Sequence, residues 1–473
     1  MTSRAGGLLE LVARGKKDLF FTANPVVSRF HSVYTRAAPF TRETYIAKPR
    51  NDAEWGHWVD FDIEHRGDLL SETYLRIELP TWLPGGAAAI NPTGIVTDAS
   101  GVTFGYCNNV GFQCINKIQL FNDQILIHEM YGEYLDWRLR QSYTMSTTFV
   151  VAADVGSREE SALAIGRSST PQRNLRVPIP MLGWQHLGDP GLPLIALRNQ
   201  RFRMRIHFRN LEEIVVSSDR RLRPAPWGGK PLRVQAKKDG PIDTSMVTLS
   251  HAAVKKPCVS LECTYKYVAP DVATFLKAGV WHIPFYTVQF QENTIEDNAL
   301  TAAATSSVET FNFPIKADFI GATDHMLLGF RSEACTQAGE RSVLRSVDDK
   351  PYVRTIRLNV ANIDRLKQWN VDILRDVSAY WKQMRGALDL DSGVSSGRLQ
   401  EIYTLTFGGF DFDRPVGTLN FTRAVQPTVF LTLNSIPYDP RNISRKTFSL
   451  LYTRSWNVFV IGNGIGKMMF DDS

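Results

Sequence analysis

The feature that most limits the fold of this chain is a strict alternation of apolar and basic residues between Arg201 and Arg209. The apolar residues of this stretch occupy every second position: Phe202, Met204, Ile206 and Phe208. Because successive side chains of a β-strand point to opposite faces of a sheet, a period of two predicts a strand with one buried face. The other face is basic, and neighbouring like charges repel, so we expect these arginines to be paired with carboxylates or buried at an interface, without binding nucleic acid.

The same alternation recurs elsewhere in the chain. It is found in Thr73–Leu79, on both sides of a turn at Asn122-Asp123 within Lys117–Ile127, and again at residues 429–433. Asn and Asp favour turns because their side chains bond to the nearby backbone, so Lys117–Ile127 is predicted to be a β-hairpin. The 24 prolines and 33 glycines punctuate these stretches. The pattern indicates an all-β sandwich architecture.

Helical spacing of apolar residues is confined to two stretches, His128–Tyr143 and 362–388. The second begins at Asn362, a residue type that caps helices, and continues through Ile363 and Leu366 towards Trp381. An apolar stripe at this spacing is typical of a helix packed on a sheet edge, so we interpret both as covers for the sandwiches.

A basic segment rich in Pro and Gly separates two halves of similar length. RRLRPAPWGGKPLRVQAKK lies between Asp219 and Asp239. It contains seven Lys and Arg residues around Trp227 but lacks the flanking aromatic platform of a single-strand nucleic-acid site, so a solvated connector is the preferred interpretation. The predicted divisions are an N-terminal arm, a first sandwich, a connector and a second sandwich, at 1–24, 25–218, 219–254 and 255–473.

The overall composition is that of a globular protein of the cytosol. The 54 basic residues exceed the 48 acidic ones by six, too few for a dedicated nucleic-acid binder. Neither a run of about 18 apolar residues nor the charge order of a secretory signal is found. The five cysteines are odd in number and match no common zinc spacing, so we expect buried free thiols. They are Cys107, Cys114, Cys258, Cys263 and Cys335.

Three motifs could suggest chemistry, and each lacks a required residue. Ile461–Lys467 resembles a phosphate loop, but Ile461 stands where the first Gly is needed and Met468 replaces the hydroxyl residue. His128-Glu129 would need a second His where Gly132 stands to hold zinc. The close acidic pairs lack the pattern of a calcium loop and are interpreted as solvated carboxylates: Asp389 with Asp391, and Asp411 with Asp413. The sequence thus predicts no catalytic residue, no cofactor and no metal ligand.

Nine segments in collinear order carry a resemblance to a known family. They are residues 6–40, Arg66–Pro80 (RGDLLSETYLRIELP), Tyr131–Trp137 (YGEYLDW), Gly191–Phe208 (GLPLIALRNQRFRMRIHF), Glu262–Leu276, His282–Gln289 (HIPFYTVQ), Phe311–Lys316 (FNFPIK), Gly417–Arg423 (GTLNFTR) and Trp456–Phe470 (WNVFVIGNGIGKMMF). Together they resemble the major capsid proteins of nucleocytoplasmic large DNA viruses, the group that includes chlorella viruses, mimiviruses and iridoviruses. The resemblance covers nearly the whole chain.

The resemblance implies two consecutive eight-stranded jelly-roll sandwiches with a few short helices in loops, and a structural role without enzymatic activity. It implies three chains to a capsomer, since two similar sandwiches around a three-fold axis give six near-equivalent edges that tile a hexagonal lattice. The expected partners are two further copies of the chain, neighbouring capsomers, and minor capsid and penton proteins, with no direct nucleic-acid contact. The expected location is the virion capsid, assembled in the host cytoplasm.

Residues 1 to about 18 of the N-terminal arm, 1–24, are predicted to be an assembly element on the inner face of the shell. The apolar residues Leu8, Leu9, Leu11 and Val12 are followed by Arg14, Lys16 and Lys17, which makes this segment a short amphipathic basic peptide. Such a peptide becomes ordered when a capsomer, a minor capsid protein or an inner viral membrane buries its leucines. Two alternatives stay open for the chain: a minor capsid or assembly protein of the same fold, and a jelly-roll enzyme such as a cupin-like oxygenase or a glycan hydrolase.

Overall fold

The computed structural model describes the residues that carry the sheets and most of the buried core. The described residues are 38–79, 96–97, 103–107, 109–142, 174–185, 190–198, 200–217, 222–224, 232–236, 248–249, 256–295, 311–332, 341, 353–370, 402–408, 417–433 and 447–470. The predicted arm at 1–24, most of the connector, Cys335 and the acidic pairs at 389–391 and 411–413 lie outside them. No helix in these ranges is long and apolar enough to cross a membrane.

Strands dominate the described chain. In order they are β1 (Phe40–Ala47), β2 (Trp58–Ile63), β3 (Leu69–Glu78), β4 (Val96–Thr97), β5 (Thr103–Tyr106), β6 (Ile115–Asn122), β7 (Ile125–Tyr131), β8 (Asn174–Pro178), β9 (Phe202–Phe208), β10 (Val215–Ser217), β11 (Leu222–Pro224), β12 (Leu232–Ala236), β13 (Thr248–Leu249), β14 (Cys258–Val268), β15 (Trp281–Ile295), β16 (Phe311–Lys316), β17 (Ala322–Ser332), β18 (Val353–Val360), β19 (Ile363–Asn370), β20 (Ile402–Thr406), β21 (Leu419–Asn420), β22 (Thr428–Leu433), β23 (Thr447–Gly462) and β24 (Ile465–Met468). The helices are α1 (Val110–Gln113), α2 (Gly132–Ser142) and α3 (Pro270–Ala278), with short 3₁₀ turns at Leu194–Ala196 and Leu211–Glu213.

The first eight-stranded sandwich, called sandwich 1, pairs two antiparallel four-stranded sheets. One sheet has the order β1-β14-β3-β8 and the other β2-β9-β6-β7. Counted along the chain within the sandwich, these orders are 1-8-3-6 and 2-7-4-5. Consecutive strands therefore alternate between sheets until the chain turns back, which is the jelly-roll arrangement of two Greek keys. The inward faces of both sheets contribute to one buried core.

Sandwich 2 repeats this topology. Its sheets have the orders β15-β23-β17-β20 and β16-β22-β18-β19, which again read 1-8-3-6 and 2-7-4-5 within the sandwich. Strands β21 and β24 add to the first of these sheets. Two small three-stranded sheets, β10-β5-β4 and β11-β12-β13, lie outside both sandwiches. The expectation of two consecutive eight-stranded jelly rolls with few helices is confirmed.

Strand β14 corrects one boundary drawn from the sequence. The division at residue 255 assigns this strand to the second sandwich, but β14 pairs with β1 along its whole length and with β3 on its other side. The closing strand of sandwich 1 thus follows the connector. The physical reason is that the eighth strand of a jelly roll must return between the first and third. The remaining divisions, the arm at 1–24 and the connector at 219–254, stay predictions.

The sheet β15-β23-β17-β20, called the shared sheet, is buried on both faces. One face packs on the other sheet of sandwich 2 through Met326, Leu328 and Leu451. The opposite face joins the core of sandwich 1 through residues such as Leu327 and Tyr452. All residues of β17 from Thr323 to Arg331 are therefore buried, and the period of two is lost there.

Two helix predictions needed correction, while the hairpin was confirmed. Ala361 and Asn362 both have positive φ, 53° and 61°, and form the tight turn between β18 and β19. Asn362 is thus a turn residue and not a helix cap, and residues 363–370 form a strand, while 371–388 lie outside the described residues. The stretch predicted to be helical from His128 remains strand to Tyr131, and the helix begins at Gly132. The hairpin β6–β7 turns after Asn122, as predicted.

Candidate functional site

The most elaborate constellation of polar side chains in the described chain lies where the two sandwiches meet. Helix α2 and strand β7 of sandwich 1 face the shared sheet at this interface. The apolar part centres on Tyr452 of β23, whose ring contacts those of Tyr134 and Trp137 of α2 at centroid distances of 6.1 and 5.0 Å. Trp137 lies directly on Gly329 of β17, so closely that a Cβ there would overlap the indole ring. A residue without a side chain is thus required at 329.

A buried ionic cluster ties α2 to β17 and β23. Glu133, 1% exposed, forms ion pairs with Arg331 and, at 3.6 Å, with Nη2 of Arg209. The hydroxyl of Tyr452 donates to Glu133 Oε2 over 3.1 Å. Burial and the nearby charge of Arg341 lower the pKa of Arg209 to about 10, which leaves the guanidinium charged at neutral pH. Glu133, which belongs to sandwich 1, therefore compensates the charges of Arg209 in sandwich 1 and of Arg331 in sandwich 2.

A second ionic cluster surrounds Asp324 on β17. Arg454 Nε lies 3.1 and 2.9 Å from the two carboxylate oxygens, and the indole N–H of Trp456 donates to Oδ2 over 2.8 Å. His325 Nδ1 is 3.0 Å from Oδ1. Burial alone would raise the pKa of Asp324, but the charges and hydrogen bonds of His325 and Arg454 outweigh it and hold the pKa below its usual value. The carboxylate is thus ionised and fully engaged.

A buried amide links the loop after β8 to the edge of the shared sheet. The side chain of Gln185 accepts from the backbone N–H of Tyr286 over 2.9 Å and donates to its C=O over 2.7 Å. The amide thus satisfies backbone groups that an edge strand would otherwise leave unpaired. His128 supports this amide: its Nδ1 accepts from the N–H of Leu182 over 3.2 Å, and Nε2 lies 3.1 Å from Gln185 Nε2. Burial lowers the pKa of His128 to about 3, so the ring is neutral at physiological pH.

These polar groups bond to one another rather than converging on an open pocket. Within the ranges that the structure describes, no group of three His, Cys, Asp or Glu side chains could hold a metal ion. His128-Glu129 lies on a strand, with the imidazole engaged as described and Glu129 paired with Lys117. The arrangement is suited to holding two sandwiches together.

The basic face of β9 is paired as expected for two of its arginines. Arg205 forms two hydrogen bonds with the carboxylate of Asp60 on β2, 2.8 and 2.9 Å long. Arg209 is buried against Glu133, as above. Arg203 instead lies over the ring of Phe121 at 4.9 Å, and Arg201 is exposed. The prediction that carboxylates pair this face is therefore confirmed for Arg205 and Arg209.

The cysteines and the glycine-rich C-terminal motif have structural surroundings. Cys107, Cys114 and Cys263 are buried free thiols, as predicted, whereas Cys258 is exposed. Ile461–Lys467 forms the turn between β23 and β24, where Phe459 and Leu197 crowd the Cα of Gly466. Close packing thus accounts for Gly466, and a positive φ of 82° accounts for Gly464 in the turn.

The sequence did not predict the ionic clusters at the interface. Neither Glu133 nor Arg331 belongs to a motif or spacing that predicts a role for it. A signal was nonetheless present in Asp324-His325 and Arg331, which flank the apolar run MLLGF. Charged residues bounding a buried run are candidates for paired core groups.

Comparisons with known proteins agree with the two-sandwich architecture. Residues 28–248 match the family model described as the N-terminus of the major capsid protein. The chain is 22% identical to the major capsid protein of Paramecium bursaria Chlorella virus 1 over 98% of this chain and 99% of that protein. It is 26% identical to a probable capsid protein 4 of Acanthamoeba polyphaga mimivirus over 44% of this chain. The match to this protein covers 39% of its length, and a match to capsid protein 1 of the same virus covers 36% of that protein's length. The matches to these two relatives therefore span less than half of each.

Solved structures share the fold. The capsid of the same chlorella virus gives a TM-score of 0.66 at 14% identity, covering 94% of this chain and 100% of that chain. The Faustovirus major capsid protein gives 0.61 at 13% identity, covering 95% and 94%. These relatives carry the names of capsid proteins, which have a structural and not an enzymatic role. The resemblance drawn from the sequence is confirmed.

Proposed function

We propose that this chain, similar along its length to the major capsid protein of a chlorella virus, is itself a structural major capsid protein. The observation that carries the proposal is the pair of complete jelly rolls joined through one sheet. Two copies of the same 1-8-3-6 and 2-7-4-5 topology give each subunit two similar outlines. A three-fold axis then generates six near-equivalent edges, and a block with six edges tiles a closed icosahedral shell with pentons at its vertices.

The buried interface supports this role because a lattice needs a subunit of fixed shape. If the sandwiches could move independently, the six edges of a trimer would not keep one spacing. The ionic cluster at Glu133 and the amide of Gln185 oppose such motion, because separating the sandwiches would leave their buried partners on β17 and β15 unpaired.

The proposed partners follow from this function. They are two further copies of the chain, neighbouring capsomers, and minor capsid and penton proteins, while residues 1–24 reach a minor protein or the inner viral membrane. The proposed location is the virion capsid, with assembly in the host cytoplasm. No direct contact with nucleic acid is proposed, since Arg205 and Arg209 are already paired.

The test is the abundance and oligomeric state of the chain. In purified virions it should be the most abundant protein on a stained gel, and light scattering of the purified chain should give three times the mass of one chain. A stable monomer or dimer under all assembly conditions would contradict the trimer. A trimer present at few copies per particle would indicate a minor capsid protein of the same fold.

The arm has a separate test. Deleting residues 2–14 should leave trimers folded with an unchanged melting temperature, while incorporation into shells falls. Normal assembly of the deleted protein would make the arm passive, and failure to form trimers would place it in the core.

A further inference from the structure

The turns at one end of the molecule bring together exposed apolar side chains that the described fold does not bury. They form a patch called the tip surface: Ile125 and Leu126 at the β6–β7 turn, Phe275 on α3, Val280 before β15, and Ile465 at the β23–β24 turn. Their exposed fractions lie between 42% and 68%. Exposed apolar clusters of this kind mark interaction surfaces.

Hydrogen bonds and close contacts make the tip surface continuous across both sandwiches. The side-chain amide of Asn122, next to the β6–β7 turn, donates to the C=O of Gly466 over 3.1 Å. On the other side, Val280 lies 3.8 Å from where a Cβ would stand at Gly462. The ring of Phe275 packs on Trp281, the first residue of β15, with centroids 5.5 Å apart. The apolar side chains are therefore neighbours on one surface.

The same elements carry an excess of free positive charge. Arg198, Arg201, Lys277 and Lys467 are exposed and form no ion pair with another described residue. Lys467 lies on the same face of β24 as Ile465, two residues away, and Arg198 packs its stem on Gly464.

Two acidic residues of these elements, Asp123 and Asp271, lie where backbone groups offset their charge. Asp123 Oδ1 accepts from the N–H of Arg201 over 3.1 Å. Asp271 lies in the first turn of α3, where the helix dipole offsets its charge. The surface therefore presents apolar side chains ringed by cations.

We propose that the tip surface binds an anionic lipid bilayer. Ile125 and Ile465 are the first residues of β7 and β24, each directly after a two-residue turn, and their side chains are 68% and 59% exposed. A bilayer accepts separate projecting side chains among its headgroups, whereas a protein partner would need a matching pocket for each. The four cations then face anionic headgroups, and each cation near such a surface strengthens binding about fivefold. This binding does not depend on shell formation, so it can fail or succeed independently of the proposed capsid function.

The experiment is co-sedimentation of the full chain with vesicles of phosphatidylcholine alone or mixed with phosphatidylserine. The chain should bind the mixed vesicles and lose binding at high salt. The double variant Lys277→Gln with Lys467→Gln should bind about 25-fold more weakly, from two contributions of about fivefold each. Ile125→Ser with Ile465→Ser should reduce binding at least tenfold on the same vesicles, since about two buried apolar side chains are lost.

Matched controls come from the end of strand β1 and the residue that follows it, away from the tip surface. Ile46→Ser and Lys48→Gln replace the same residue types as the tip variants, and both side chains are exposed. Phe40, at the start of β1, pairs with Val268 just before α3. Ile46 lies about 20 Å from Phe40 along the strand, and Lys48 lies farther still. They should leave vesicle binding unchanged, and all variants should keep the melting temperature of the parent.

Three results would overturn the proposal. The first is no binding of the unaltered chain to mixed vesicles. The second is unchanged binding by both tip variants, which would assign lipid binding to another segment such as the arm. The third is unchanged vesicle binding with impaired entry of the tip variants into shells, which would make the surface a contact for another protein.

Discussion

Replacing Glu133 by glutamine should destabilise the chain by about 3–5 kcal/mol, because it breaks a buried ionic cluster while keeping its shape. The carboxylate is 1% exposed and compensates Arg331, also 1% exposed, and Arg209. With a neutral amide in its place, both buried guanidinium groups lose the negative charge of Glu133. The amide oxygen can still accept from Tyr452, so the loss reports charge and not a missing hydrogen bond.

The loss can be measured by calorimetry or denaturant unfolding of the purified chain. Unfolding entropy is about 2.1 cal/mol/K per residue, or about 1 kcal/mol/K for 473 residues, so the melting temperature should fall by about 3–5 °C in a single transition. The matched control is Glu72→Gln. Glu72 pairs with Arg42 at 3.9 Å, and both side chains are about half exposed, so its loss should cost less than about 1 kcal/mol.

A double variant separates uncompensated charge from general disruption. Adding Arg331→Met to Glu133→Gln removes one of the two buried cations that Glu133 compensates, so the double variant should be more stable than Glu133→Gln alone. The reasoning is refuted if Glu133→Gln costs no more than Glu72→Gln. It is also refuted if the stability lost in the double variant equals the sum of the losses measured for Glu133→Gln alone and Arg331→Met alone.

Three further changes test the interface. In the unfolded chain His128 takes up a proton near its ordinary pKa, whereas in the folded chain the ring stays neutral down to a pKa of about 3, so falling pH favours the unfolded state. The free energy of unfolding should therefore drop by about 2 kcal/mol between about pH 8 and pH 5. His128→Gln should flatten this pH dependence in denaturant titrations. Gly329→Ala should cost about 1–3 kcal/mol by driving a methyl group into Trp137, whereas Gly462→Ala, with its nearest neighbours 3.8 Å away, should be near neutral in the same melting assay. Gln185→Ala should cost about 1–3 kcal/mol and speed hydrogen exchange at the amide of residue 286, and unchanged exchange would show that the side chain is dispensable.

The sequence pattern predicted the strands that have one buried face and one face exposed to solvent. Strand β9 alternates because one face enters the core of sandwich 1 while the other meets Asp60 and solvent, and the burial of Phe202–Phe208 follows the pattern residue by residue. The hairpin β6–β7 was predicted for the same reason. A period of two is thus a reliable guide wherever a sheet separates core from water.

Strands buried on both faces gave no such signal. In β17 the run from Thr323 to Arg331 has neighbours on each side, so polar and apolar residues alike are buried and no alternation remains. The error at Asn362 had another cause. A residue that caps helices also tolerates positive φ, and only the pairing of Val360 with Ile363 distinguishes the two roles. Long-range pairing likewise decided that β14 closes sandwich 1.

The position of the shared sheet follows from the chain order of β14 and β15. Because β14 closes sandwich 1 after the connector, the chain passes from its last strand through α3 directly into β15, the first strand of the shared sheet. Sandwich 2 therefore starts beside sandwich 1, and helix α2 and strand β7 of sandwich 1 pack on one face of the shared sheet. Glu133 on α2 pairs there with Arg331 on β17, which favours one arrangement over others because any displaced packing would separate this buried pair. The two jelly rolls thus have the fixed relation that the proposed trimeric block, with its six near-equivalent edges, would require.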